Sequence, residues 1–163
     1  IGLGIPAEPL FRSRDIEMII PDLSTTLLNP VVTTAVIEKT FLEKAFLIHE
    51  LFNTNAGAIA SRKSRHLYDL EKMMDEPFAA KAIQDDEMWG TISHHRQVFT
   101  SMADVDYTPD IRKRIVLVPP QPFIREWRDD YDAMRSTMIF GPSLPFDDLI
   151  SRISTLEKRF HNI

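Results

Sequence analysis

The sequence lacks cysteine altogether. That excludes a disulfide framework, a thiolate metal site and a cysteine nucleophile, and it suits a protein of the cytoplasm. Long apolar runs are missing too: none approaches the roughly 20 residues that a membrane-spanning helix needs, and no charged-then-apolar leader opens the chain. Positive charge is in short supply, with 19 Lys and Arg against 24 Asp and Glu and a net charge of −5. Contacts to a nucleic-acid backbone need clustered positive charge, so a stand-alone nucleic-acid binder is disfavoured and any RNA contact must be local. No P-loop, GxSxG or HExxH pattern occurs, which removes sequence support for those mechanisms. Internal repeats and low-complexity segments are absent as well.

What is present is a chain of 163 residues, 44% hydrophobic, with enough apolar material for one core. It opens on Ile1 rather than Met, and the run IGLGIP reads as the inside of a strand, so the chain is expected to be a fragment. Residues 1–5, the partly alternating 15–20 and the β-branched 31–36 suit short strands, with 23–30 as a connector. The expected fold class is mainly α within α+β, a helical bundle with a few short N-terminal strands. Residues 1–36 would be edge strands and connector continuing an upstream core, and 37–163 a helical C-terminal domain.

The chain is organised around residues 38–74, which read as two helices joined by a soft loop over 53–61. In the first, Phe41, Ala45, Ile48 and Phe52 recur at helical spacing with Leu42 and Phe46 beside them, giving one broad apolar face. In the second, Leu67, Leu70 and Met74 form a narrower stripe, while Arg62, Arg65, His66, Asp69 and Lys72 follow i, i+3, i+4 steps on another face. A polar face this dense suits a phosphate. Further helices are expected over 78–84, over 85–102 with a stripe of Met88, Ile92, His95, Phe99 and Met102 widened by Trp89, and over 122–138 with Phe123, Trp127, Tyr131, Met134 and Met138. A last helix over 144–160, its start capped by Ser143, carries Phe146, Leu149, Ile150, Ile153, Leu156 and Phe160 almost as a heptad seam. Such a seam should pack against the bundle.

Four segments, TFLEKAFLIHE (40–50), SRHLYDL (64–70), DYDAMRSTMIFG (130–141) and LPFDDLISRISTLEKRF (144–160), resemble in order and spacing the C-terminal half of the AbiEii/AbiGii-type nucleotidyltransferase toxins. The resemblance implies transfer of a nucleoside monophosphate from a nucleoside triphosphate (NTP) to an acceptor, within a toxin–antitoxin or phage-defence system. Transfer RNA ends are an acceptor by analogy, and a cognate antitoxin is an implied partner. It also implies that Lys44, the lysine of the EK pair, contacts the nucleotide's phosphates, with Glu43 beside it, and that Asp69 of YDL belongs to the active site. Arg65, then Arg62 and His66, would lie near the phosphates.

Physical chemistry supplies plainer accounts of the same residues. Lys44 can be a solvent-facing cation paired with a neighbouring carboxylate, and Arg65 with Asp69 an exposed i, i+4 ion pair contributing roughly 0.3 to 0.5 kcal/mol. Tyr68 suits packing. The family's glycine and serine or threonine turn, with the acidic pair that binds magnesium, is missing and expected upstream of Ile1. Asp104-Val105-Asp106 has carboxylate-pair spacing but sits in a polar loop before Pro109, and His94-His95 point about 100° apart on a helix with no third ligand. The chain alone should therefore not catalyse, and it would supply the wall that holds the nucleotide. Two other readings stand beside this one: a non-catalytic helical interaction module, and a small-molecule nucleotidyltransferase. The resemblance makes one geometric demand, that Lys44 and Asp69 approach each other across the helical pair, where the plainer accounts expect scattered, solvated side chains.

Overall fold

The apolar periodicity of 38–52 folds as α1 (Ile37–Asn53), and Phe41, Leu42, Ala45, Phe46, Ile48 and Phe52 are buried along it. The structure, a computed structural model, describes residues 36–54 and 60–162. All of them lie in one compact unit, residues 35–163. The strands expected over 1–5 and 15–20 lie outside the described residues, as does the one expected over 31–36 apart from Val36, which stands at the N-cap of α1. Among the described residues there is no strand, and the short extended piece considered for 114–118 is irregular chain after a 3-10 helix, Pro109–Arg114.

The second helix, α2 (Arg65–Met73), starts later than the charged pattern suggests. Arg62 has φ of 58°, the left-handed region that a right-handed helix does not admit, so it belongs to the turn before α2 and not to a helical face. Leu67, Leu70 and Met74 are buried as their stripe predicts. Next comes α3 (Pro77–Gln84) with proline in its first turn, where the missing N–H costs no hydrogen bond. In α4 (Asp86–Phe99) the Asp85 carboxylate accepts from Met88 N–H at 2.9 Å, an N-cap that the acidic start of this helix foreshadows.

The face of α4 is where the sequence pattern misleads. Trp89, Ile92 and Ser93 are buried, whereas His95 is exposed and Phe99 is 74% exposed. Trp89 is the centre of the packed face. Its ring lies 5.1 Å from Phe46 and 5.5 Å from Phe160, and its indole N–H donates to Ala82 C=O at 3.1 Å, fixing the elbow between α3 and α4.

A short 3-10 turn, Gln121–Phe123, leads into α5 (Ile124–Thr137), which buries Trp127, Tyr131 and Met134. Met138 falls past the helix and is 54% exposed, so the expected stripe stops one turn early. Gly141, at φ +135°, takes the turn that a side chain would strain. The last helix, α6 (Phe146–His161), packs its seam as expected, with Phe146, Leu149, Ile153, Leu156 and Phe160 all buried and Phe160 stacked on Phe41 at 6.0 Å. Its start is not capped by Ser143. Pro145 precedes the helix, and the Ser143 hydroxyl accepts from Arg135 Nε at 3.0 Å.

Candidate active site

Lys44 follows the fully buried pair Phe41 and Leu42 on α1 and precedes Ala45 and Phe46, which places it at the margin of the apolar face. Asp69 stands similarly on α2 between buried Leu67 and Leu70. Packing the two apolar faces together brings these margins into register, and Lys44 Nζ lies 2.7 Å from Asp69 Oδ2. The demand that the two residues approach across the helical pair is met. The lysine's partner is thus 25 positions away, not a neighbour on its own helix. Both side chains remain partly exposed, at 25% and 37%, a setting in which an ion pair contributes on the order of 1 kcal/mol or less. The pair is a minor stabiliser, so its chemistry is separable from the fold.

His66 joins them. Its pKa is lowered to about 4, chiefly by burial, then by the charges of Lys44 and Arg65, with Asp69 opposing and Lys63 adding to the depression. The imidazole is neutral at pH 7, and its Nδ1 is buried with no hydrogen-bond partner among the described residues. Around this ring Lys44, Arg65 and Lys63 outnumber the single carboxylate of Asp69. A chain of net charge −5 therefore carries a locally positive site, which is what a phosphate requires.

Arg65 is exposed and makes no ion pair with Asp69, so the i, i+4 bridge considered for them does not form. Arg62 is exposed. With Arg65 it lines a shallow cavity of about 140 Å³ closed on the other side by Asp130, Ala133, Met134, Thr137 and Met138. Glu43 turns away from Lys44 and pairs with Lys39 at 3.7 Å on the exposed side of α1, while its backbone carbonyl accepts from Arg96 at 3.2 Å. Lys72 is taken by Glu71 at 3.2 Å and rests 5.3 Å from the Tyr68 ring centre, which leaves Tyr68 a packing role.

A scan against family models finds that of the nucleotidyl transferase AbiEii toxin, type IV toxin–antitoxin system, matching residues 5–152. The chain belongs to the AbiEii family. No curated protein and no solved structure matches it. The AbiEii match begins well before the segments that carry the resemblance and takes in Lys44, Arg62, Arg65, His66 and Asp69.

Magnesium, which the AbiEii nucleotidyltransferases imply, does not fit the described residues: no three His, Asp or Glu side chains converge among them, and an Asp69 oxygen is held by Lys44. Asp106, from the carboxylate pair in the sequence, accepts from Thr108 N–H at 3.0 Å and from Arg114 at 2.8 Å, which together hold its pKa below the usual carboxylate range. His94 and His95 are both exposed, and the His95 ring lies tilted against Phe99 at 4.6 Å.

Sequence reasoning passed over two groups. Glu50 is buried, receiving Arg96 at 2.6 Å and the Tyr107 hydroxyl at 2.8 Å. Asp130 accepts from the turn before α2. Neither partner is at helical spacing, so periodicity carries no trace of them. The one available signal for Asp130 is its place at the head of the DYDAMRSTMIFG segment.

Proposed function

We propose that, in the complete AbiEii protein, this chain holds the phosphates of an NTP while a nucleoside monophosphate is transferred to an acceptor, the toxin's activity in the cytoplasm. The observation that carries this reading is the 2.7 Å meeting of Lys44 and Asp69, from two helices, inside a locally positive cluster. The compact ammonium of Lys44 contacts phosphate oxygens, and Arg65 adds a two-point guanidinium contact. Asp69 orients the ammonium before the nucleotide arrives and is the one carboxylate of the cluster placed to take a proton from an attacking hydroxyl. Neutral His66 offers a ring nitrogen beside them, and Arg62 extends the positive surface. Magnesium, held by residues outside the described ones, would supply charge neutralisation on the phosphates. A transfer RNA end and a small molecule are the two acceptor classes considered, and a cognate antitoxin is the proposed regulator.

The test is transfer from labelled NTPs by the complete protein, with RNA and small-molecule acceptors offered in parallel. Lys44→Ala and Asp69→Ala should each abolish transfer and leave the melting temperature nearly unchanged. Full activity in both variants overturns the assignment, and so does activity lost only together with the fold. A second reading, a helical interaction module without chemistry, draws on the exposure of Phe99 at 74% and Phe140 at 96%. It requires that the complete protein bind no NTP at all.

A further inference from the structure

The segment 130–141 resembles the family yet contributes nothing to the cluster of Lys44 and Asp69. Its first residue has a different task. Asp130, on α5, receives three hydrogen bonds from a turn more than sixty positions earlier: Arg62 N–H at 2.6 Å to Oδ1, and Ser64 N–H at 3.0 Å and Ser64 hydroxyl at 2.5 Å, both to Oδ2. Ser64 stands at the N-cap of α2, where a serine hydroxyl ordinarily accepts from an N–H of its own helix, but here it makes no such cap and donates to Asp130. The Ser64 N–H just before α2 is thus met by a carboxylate from another helix, while His66 and Leu67 N–H donate to the carbonyls of Lys63 and Ser64, and a negative charge at a helix N-terminus is also favoured by the dipole.

A nine-residue helix has little stability of its own, so what grips its first turn decides where its side chains point. Asp130 grips the residue before Arg65, and it does so through a turn in which Arg62 sits at φ 58°. Helical residues are spaced about 100° apart, so slippage of this start by a single residue would swing Arg65, His66 and Asp69 off the Lys44 side altogether. We infer that Asp130 is a positioning residue for the nucleotidyl-transfer site, acting through the Arg62–Ser64 turn to set the rotation of α2 against α1. The inference rests on the assignment of Lys44 and Asp69 given above.

The fold contains its own control. On α6, Glu157 accepts from Leu117 N–H at 2.6 Å and Val118 N–H at 3.1 Å, a carboxylate holding a backbone segment in the same manner but away from α2. In the complete protein, kinetics of NTP transfer should be measured for Asp130→Asn and Glu157→Gln at a temperature where both are folded. Asp130→Asn should lower kcat tenfold or more, with a smaller change in KM for NTP, while Glu157→Gln stays within twofold of the parent. Equal activity in the two variants overturns the inference. NMR titration of the His66 ring gives a reading independent of activity: in Asp130→Asn its midpoint should climb from about 4 toward the ordinary 6.5 as α2 loosens. An unchanged His66 midpoint overturns the inference even if transfer falls. Retention of transfer by Lys44→Ala, by contrast, sinks the site assignment, whatever His66 does.

Discussion

His49 and His66 titrate near 4 rather than 6.5, and each does so by a combination of burial and neighbouring positive charge. For His49 burial dominates, and Arg114 adds to it, while its Nδ1 accepts from Val116 N–H at 3.0 Å. Protonating that nitrogen removes an acceptor from a backbone donor. Between about pH 6.5 and 4 the unfolded chain binds protons that the folded chain refuses, so stability is fully present above 6.5 and is lost as pH falls through this window. Each histidine gives a slope of at most about 1.4 kcal/mol per pH unit. Melting temperatures from pH 7.5 to 4 should fall along this course, and His66→Gln should flatten it; a flat profile in the parent protein would show that these rings are not held neutral. Lys44 and Asp69 were legible through the resemblance of the EK and YDL segments, and the packing of the two apolar stripes they flank explains why they meet. The depressed histidines were not, since the largest cause of each shift is burial, which the packing of the whole unit decides.

At the level of the helix, α6 and α4 show when periodicity suffices. The α6 seam is its one apolar face, and an acidic first turn and basic last turn leave no competing choice. In α4 two faces compete: Met88, Ile92, His95 and Phe99 on one, Trp89, Ile92 and Ser93 on the other. The second is buried because its polar members find distant partners, with Ser93 donating to Tyr107 C=O at 2.7 Å and Arg96 reaching Glu50. Those partners lie 14 and 46 positions away, beyond the reach of any window on the sequence. Trp89→Ala should therefore cost about 3 to 5 kcal/mol through lost burial and a residual cavity. Phe99→Ser should fall within about 0.5 kcal/mol of the parent in denaturant melts, as surface substitutions do. The reverse order would restore the Met88–Phe99 face to the core.

Across the described unit, distant segments are tied by a few charged groups, each at a junction that apolar packing alone leaves degenerate. Arg152 bonds Glu71 at 3.1 Å and also Asp75, and Arg159 bonds Asp75 at 2.9 Å, which clamps α6 to the end of α2. The two Asp75 bridges are largely exposed and individually weak, and in the Glu71 bridge only the carboxylate is buried. The tie between α1 and α4 differs because it is buried: Glu50 is 3% exposed, with one oxygen on Arg96 and the other on Tyr107, whose pKa is raised to about 12 by burial and by that carboxylate. Burial of an ion pair costs desolvation that the pairing only about recovers, so the pair as a whole should add little stability. Removing one member is another matter, because the carboxylate left behind has no compensating charge. Arg96→Met should cost about 3 to 5 kcal/mol in urea denaturation, and the double variant Glu50→Gln with Arg96→Met should regain a large share of that loss. The regain separates the two possible origins of the penalty. If the double variant were no more stable than Arg96→Met alone, the cost would lie in the lost packing of the arginine against Phe46, over which it rests at 5.7 Å, and not in a stranded charge.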